Sequence, residues 1–133
     1  MRICLAGSLN LSSWHDQDRS LSDVSAPLGL LSLAAVLESA GHEPSLVDWN
    51  HEVAAGHIAL DDGLYRQSAR RIEETRPDIV GFSTMCSSYH ITLRMAEAWK
   101  RLRPDVPVVL GGPQASVGSN AARDVASSLS PNP

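Results

Sequence analysis

Two cysteines, Cys4 and Cys86, are the only thiols in 133 residues, and they stand far apart with no CxxC spacing. That excludes a disulfide scaffold and a thiolate zinc site, and it leaves reduced thiols in a cytoplasmic protein as the expectation. An excess of positive charge is also missing. Eleven Lys and Arg stand against fifteen Asp and Glu, a formal net charge of −4. Such a balance gives no electrostatic footprint for nucleic acid or an anionic membrane. No apolar run approaches the roughly 20 residues of a spanning helix. The opening Met1–Gly7 superficially resembles a signal peptide, but its apolar part is too short and polar Ser8 and Asn10 follow, so it reads as a strand.

Catalytic motifs are equally scarce. There is no GxGxxG after the first strand, no GxxxxGK followed by Ser or Thr, and no GxSxG elbow. A phosphorylation receiver needs acidic residues where this chain has Gly7-Ser8 and Ser83-Thr84. The five histidines, His15, His42, His51, His57 and His90, show no ligand spacing. Ser83 has no evident base partner. Cys86 stands at the start of a helix, where a thiolate would be stabilised, but a passive small residue explains it as well.

What is present is organised around Pro77–Ala115, a strand–helix–strand unit. Asp78–Phe82 reads as a strand buried on both faces. Tyr89–Leu102 places Ile91, Met95, Trp99 and Leu102 on one helical face, with Arg94, Glu97, Lys100 and Arg101 opposite. Arg103 and Pro104 end that helix, and Val106–Leu110 is a second buried strand. Upstream, Arg2–Ala6 is the first strand. Leu9–Ala26 follows as a long polar loop anchored by Trp14, with His15 and Asp16 as a polar pair; it is either functional or a surface insertion. Pro27 opens a helix whose buried stripe would be Leu28, Leu31, Ala34, Ala35 and Leu37, closed by Gly41. Glu43–Asp48, with Pro44 inside it, suits an edge strand. Trp49–Asp61 reads as a loop. A helix over Asp62 to about Thr75 faces Leu64, Ala69 and Ile72 inward and Arg66, Arg70, Arg71, Glu73 and Glu74 to water, and Arg76-Pro77 stops it.

This alternation predicts an α/β fold: a doubly wound parallel sheet, flavodoxin-like or Rossmann-like, with four strands in the order 2-1-3-4. The strands end in small residues, Gly7-Ser8, Ser83-Thr84 and Gly111-Gly112, which leave an open crevice at the carboxyl edge where such sheets bind ligands. The usual fifth strand is missing, so either the chain is a fragment or a partner covers the fourth strand. Residues 119–133 hold a weak helix, Ala121–Leu129, and a polar tail.

Three segments together resemble one family. Ser83-Thr84-Met85 and Gly111-Gly112 look like the S-x-L and GG elements of cobalamin-binding domains. Pro27-Leu28-Gly29-Leu30-Leu31-Ser32-Leu33-Ala34-Ala35-Val36-Leu37-Glu38-Ser39-Ala40-Gly41-His42 is similar to the P-L-G-L-x-x-L-A-A-x-L-x-x-x-G-H segment of the cobalamin-binding domains that precede a radical S-adenosylmethionine barrel. Gly111-Gly112-Pro113-Gln114-Ala115 resembles that family's G-G-P-H-A turn, with Gln114 where histidine is common. The resemblance covers residues 1–118.

The resemblance implies a base-off cobalamin whose tail threads between the loops after the first and third strands. The binding residues it implies are Ser8, Leu9, Asn10, Leu28, Gly29, Ser83, Thr84, Met85, Gly111, Gly112, Pro113 and Gln114. Two departures qualify it. The cobalt-ligating D-x-H-x-x-G motif is absent, for Gly7 is followed by Ser8-Leu9-Asn10-Leu11, and the spacing of His15 is wrong for a substitute. The CxxxCxxC triad of the radical domain is absent too, so an iron–sulfur cluster and S-adenosylmethionine would require a separate domain or subunit as partner. This chain would then be the cofactor-holding module, bearing no catalytic residue of its own. The alternatives are a flavin- or nucleotide-binding flavodoxin-like protein, in which Ser8–Ser13 cradles a phosphate, and a non-catalytic interaction domain using the fourth-strand edge.

Overall fold

Four short strands rich in β-branched and aliphatic residues pair side by side. In the computed structural model, which describes residues 1–10, 27–85 and 88–112, the elements are β1 (Arg2–Ala6), α1 (Leu28–Ser39), β2 (Glu43–Val47), α2 (Trp49–Ala54), α3 (Leu64–Glu74), β3 (Ile79–Ser83), α4 (Tyr89–Leu102) and β4 (Val108–Gly111). All pairings are parallel, in the order β2-β1-β3-β4. The α/β architecture and the strand order agree with the reading of the sequence. The loop bearing Trp14, His15 and Asp16, the thiol of Cys86, and Pro113, Gln114 and Ala121–Leu129 lie outside the described residues. Among the described residues no helix is long and apolar enough to cross a membrane.

The two faces of the sheet are treated differently. Cys4, Ala6, Val80 and Phe82 point to one face and are buried with Ala69 and Ile72 of α3 and Ile91, Met95 and Trp99 of α4. Burying such side chains contributes roughly 1.5–3 kcal/mol each for the larger ones, which makes this face the stable one. The alternate residues Ile3, Leu5, Ile79, Gly81 and Val109 line a cleft on the other face, opposite α1. β3 therefore alternates between half-buried and buried positions and is not buried on both faces as expected. β4 departs likewise, with Val109 half exposed.

The predicted buried stripe of α1 is a further correction. Among the described residues the helix buries no side chain; Leu28 is 72% exposed, and Leu31, Leu33 and Val36 are exposed as well. It rests on the edge strand β2, and its apolar side chains border the cleft. Its C-terminus is as expected. Gly41 takes φ +88°, its N–H donates to Glu38 O at 3.0 Å, and His42 N–H donates to Leu37 O at 3.0 Å, the paired bonds of a Schellman turn.

Trp49–Ala54, expected as loop, is the helix α2. The Asp48 carboxylate caps it, accepting from Asn50 N–H at 3.1 Å and, more weakly, from His51 N–H at 3.5 Å. The helix delivers Glu52 to a buried position, where its carboxylate meets Arg71 Nε at 3.2 Å and His57 Nδ1 at 3.0 Å. Arg71 is thus turned to a partner and not to open water. On α4, Leu102 is exposed. Lys100, expected on the solvent side, is buried, and its ammonium donates to Pro104 O and Val106 O, each at 2.9 Å. It closes the turn leading into β4, because its ammonium supplies hydrogen bonds to two turn carbonyls beyond the end of α4.

Cys4 lies fully buried in the middle of this core. Burial pushes its thiol up to about 11, against smaller opposing pulls from a Thr75 hydrogen bond and the Arg71 charge. A raised folded-state value means that the native state holds the proton more tightly than the unfolded chain does. The stability linked to Cys4 is therefore complete below about pH 9 and is lost as pH rises through the folded value. We expect urea midpoints measured between pH 8 and 11 to show an alkaline loss on the order of 2 kcal/mol that is absent from Cys4→Ala. Parallel pH profiles for the two proteins would show that Cys4 does not carry it.

Candidate cofactor cleft

All four strands run parallel, so their carboxyl ends gather on one edge, and the residues there determine the shape of the opening. β3 and β4 end pinched together. Thr84 donates twice to the Gly111 carbonyl, from its N–H at 2.7 Å and from Oγ1 at 2.8 Å. The chain then turns through Gly112 at φ +97°, where an added Cβ would lie 2.8 Å from Thr84 O and 2.9 Å from Thr84 N. Only glycine fits that approach. Gly111 differs: among the described residues nothing beyond its chain neighbours lies within 4 Å of where its Cβ would stand, and Gly29 on α1 is likewise clear of everything but its own helix.

The β1 end is held from β2 and α2. Gly7 N–H donates to Val47 O at 2.9 Å. Asn50 then grips the next residues from both directions, its Nδ2 donating to Ser8 O at 3.2 Å and its Oδ1 accepting from Asn10 N–H at 3.0 Å. Between these ends, α1 and the sheet face lies a cleft of about 870 Å³, large enough for a sizeable organic ligand. Its floor is aliphatic, with Leu5, Gly81 and Val109 side by side across three strands. Its polar groups gather at the carboxyl edge: Ser8, Ser83, Asn50 and Asp48. Asp48 is the one charged residue on the described lining, and its carboxylate is engaged in capping α2.

Of the residues expected at the site, Ser8, Leu28, Gly29, Ser83, Met85, Gly111 and Gly112 line this one cleft. Three others lie elsewhere. Leu9 is fully buried in the core. Thr84 is fully buried, with its hydroxyl on Gly111 O. Asn10 is exposed and is held by Asn50. Pro113 and Gln114 fall outside the described residues. Sequence reasoning missed Asp48 and Asn50, which reach the cleft from the cap and the first turn of a helix it did not predict. Among the described residues no group of three His, Cys, Asp or Glu could hold a metal ion. His51 and His57 meet edge to face with ring centroids 6.4 Å apart, on α2 and just beyond it.

Two neighbouring glycines should therefore behave differently. Gly112→Ala forces a Cβ against the Thr84 backbone at positive φ, and we expect it to lower stability by about 1–3 kcal/mol. Gly111→Ala meets no close contact among the described residues and should stay within about 0.5 kcal/mol of the parent. Denaturant midpoints for the two variants check this, and equal losses would contradict the pinch.

A family model described as the B12 binding domain matches residues 19–126, most of the chain. No curated protein and no solved structure matches it. The matched span takes in α1, both outer strands, β3 and the strand ends at Ser83-Thr84 and Gly111-Gly112; β1 and Gly7-Ser8 precede it. On that match, joined to a parallel sheet ordered β2-β1-β3-β4, the chain belongs to the B12-binding domain family and is a cobalamin-binding domain.

Proposed function

We propose that this domain holds a base-off cobalamin, its nucleotide tail in the cleft between the ends of β1 and β3 and its corrin over the carboxyl edge, for a radical S-adenosylmethionine domain or subunit in a cytoplasmic enzyme. The observation that carries this reading is the open, glycine-lined slot. Among the described residues, nothing but their own chain neighbours and helix backbone crowds the Cβ positions of Gly29 and Gly111, and both residues line the cleft above an aliphatic floor. The residues present fit such a group. The Ser8 and Ser83 hydroxyls and the backbone at Gly111 and Gly112 would hold the tail, and exposed Leu28 and Met85 offer apolar surface to the corrin.

Bound cobalamin supplies the chemistry of methyl transfer or a related reaction at its cobalt. The chain's own contribution is to bind, orient and partly shield the cofactor. No histidine stands on the described cleft lining, and Gly7 is followed by Ser8-Leu9-Asn10, which is why the reading leaves cobalt without a protein imidazole. With only Cys4 and Cys86, the three thiolates of an iron–sulfur cluster would come from the partner domain or subunit, together with its S-adenosylmethionine. A flavin mononucleotide fits less well, because the one charged group on the described lining is the carboxylate of Asp48, a poor neighbour for a phosphate dianion.

Titration of the purified protein with hydroxocobalamin should shift the visible spectrum and leave red pigment on the protein after desalting. Gly111→Leu, which fills the slot without backbone strain, should weaken binding about tenfold or more, with the circular dichroism spectrum unchanged. Colourless protein after desalting at micromolar concentration would overturn the reading, and flavin released on denaturation would replace it.

A further inference from the structure

The turn after β1 forms one wall of the cleft, yet it is anchored from an element forty residues away. Asn50 is the second residue of α2. Its amide makes two bonds of opposite polarity to the main chain on either side of Leu9, donating to Ser8 O and accepting from Asn10 N–H. Its own N–H donates to the Asp48 cap, so the side chain projects from a fixed helix start. Leu9, between the two gripped residues, is sealed in the core. The wall is therefore held in depth by Leu9 and along the edge by Asn50. Ser8, which lines the cleft, has its carbonyl taken by Asn50, which fixes the orientation of its peptide group.

The two-bond pattern requires an amide. A carboxylate in place of Asn50 accepts from Asn10 N–H but donates nothing to Ser8 O, and an aliphatic side chain does neither. We propose that Asn50 is the positioning residue of the cofactor slot, setting the wall at Gly7-Ser8 against which the nucleotide tail of cobalamin is held. This rests on the preceding reading that the tail occupies the cleft beside Ser8. It assigns a binding role to a residue outside the strand-end segments that suggested the site.

The test compares hydroxocobalamin with dicyanocobinamide, which carries the corrin but lacks the nucleotide, on the wild type, Asn50→Ala and Asn50→Asp. Visible-spectrum titrations give affinities, and circular dichroism with thermal melts reports folding. We expect Asn50→Ala to lose about tenfold or more in cobalamin affinity, the scale of two hydrogen bonds. Asn50→Asp, which keeps one bond, should fall between. Cobinamide affinity should change less than twofold in either variant, a selectivity that general loosening of the fold would not produce. If Asn50→Ala melts too early to titrate, Asn50→Asp alone decides by the same contrast. Wild-type affinity retained in both variants would overturn the positioning role while leaving cobalamin binding intact. Equal losses for both ligands would also overturn it. Failure of the wild type to bind cobalamin would overturn the underlying reading, and this inference with it.

Discussion

The carbonyl of Gly111 is the point on which the carboxyl edge depends. It takes both donors of Thr84, and this double bond of backbone and hydroxyl draws the ends of β3 and β4 together. The chain can leave that junction only through a residue that tolerates φ +97° with Thr84 less than 3 Å from its missing Cβ. Gly112 is thus a structural requirement before it is a binding one. Its neighbour Gly111 turns its empty Cβ position to the cleft, so one Gly-Gly pair serves two purposes: the second glycine closes the sheet, and the first keeps the opening clear.

Everything else at the site follows from a sheet whose two faces do different work. Strand alternation sends Cys4, Ala6, Val80, Phe82, Val108 and Leu110 toward α3 and α4, where they meet Trp99 and Met95. The same alternation sends Leu5, Gly81, Ser83, Val109 and Gly111 to the other face. The first set supplies the apolar burial that stabilises the fold. The second is released from that duty and can be small, which a ligand surface needs. Gly81 illustrates the division. It lies in a central strand, where glycine weakens the sheet, yet it sits on the cleft floor between Leu5 and Val109, where an added Cβ would approach Leu5 Cδ2 at 3.4 Å.

Local pattern disclosed the strands and the three long helices, whose signals run over four to fourteen residues, and right-handed crossovers gave the strand order. It failed where a feature is short, uniform or long-range. The six residues of α2 are too few to show a helical repeat, and their one local sign is the capping carboxylate of Asp48. In α1 nearly every position from Leu28 to Leu37 is apolar, so no stripe can be singled out, and the one expected to be buried is open. Lys100 fits a solvent face by pattern and is buried only because the turn from Arg103 to Val106 folds back over it. At the site, small residues at strand ends were legible. The separation of Ser83 from Thr84 was legible in principle too, since neighbours on a strand face opposite ways. Asn50 was not, because nothing local to it announces a bond to Ser8.

The balance of polar groups at the cleft favours holding over reacting. Most of the polar atoms described there have structural tasks: Asp48 caps α2, the Asn50 amide grips both sides of Leu9, and Thr84 lies behind the wall on Gly111 O. A general acid or base must be free to exchange a proton with the reacting atom. The Asp48 carboxylate is instead engaged with two N–H groups of α2. Groups committed in this way are instead suited to fixing a surface against which a large ligand can rest without the protein rearranging, and rigidity of that kind lowers the ordering cost of binding. In a B12-binding domain such a division is chemically sensible. The cofactor brings the reactive centre, and the chain contributes a cleft whose walls are set by the backbone and by side chains bonded to it.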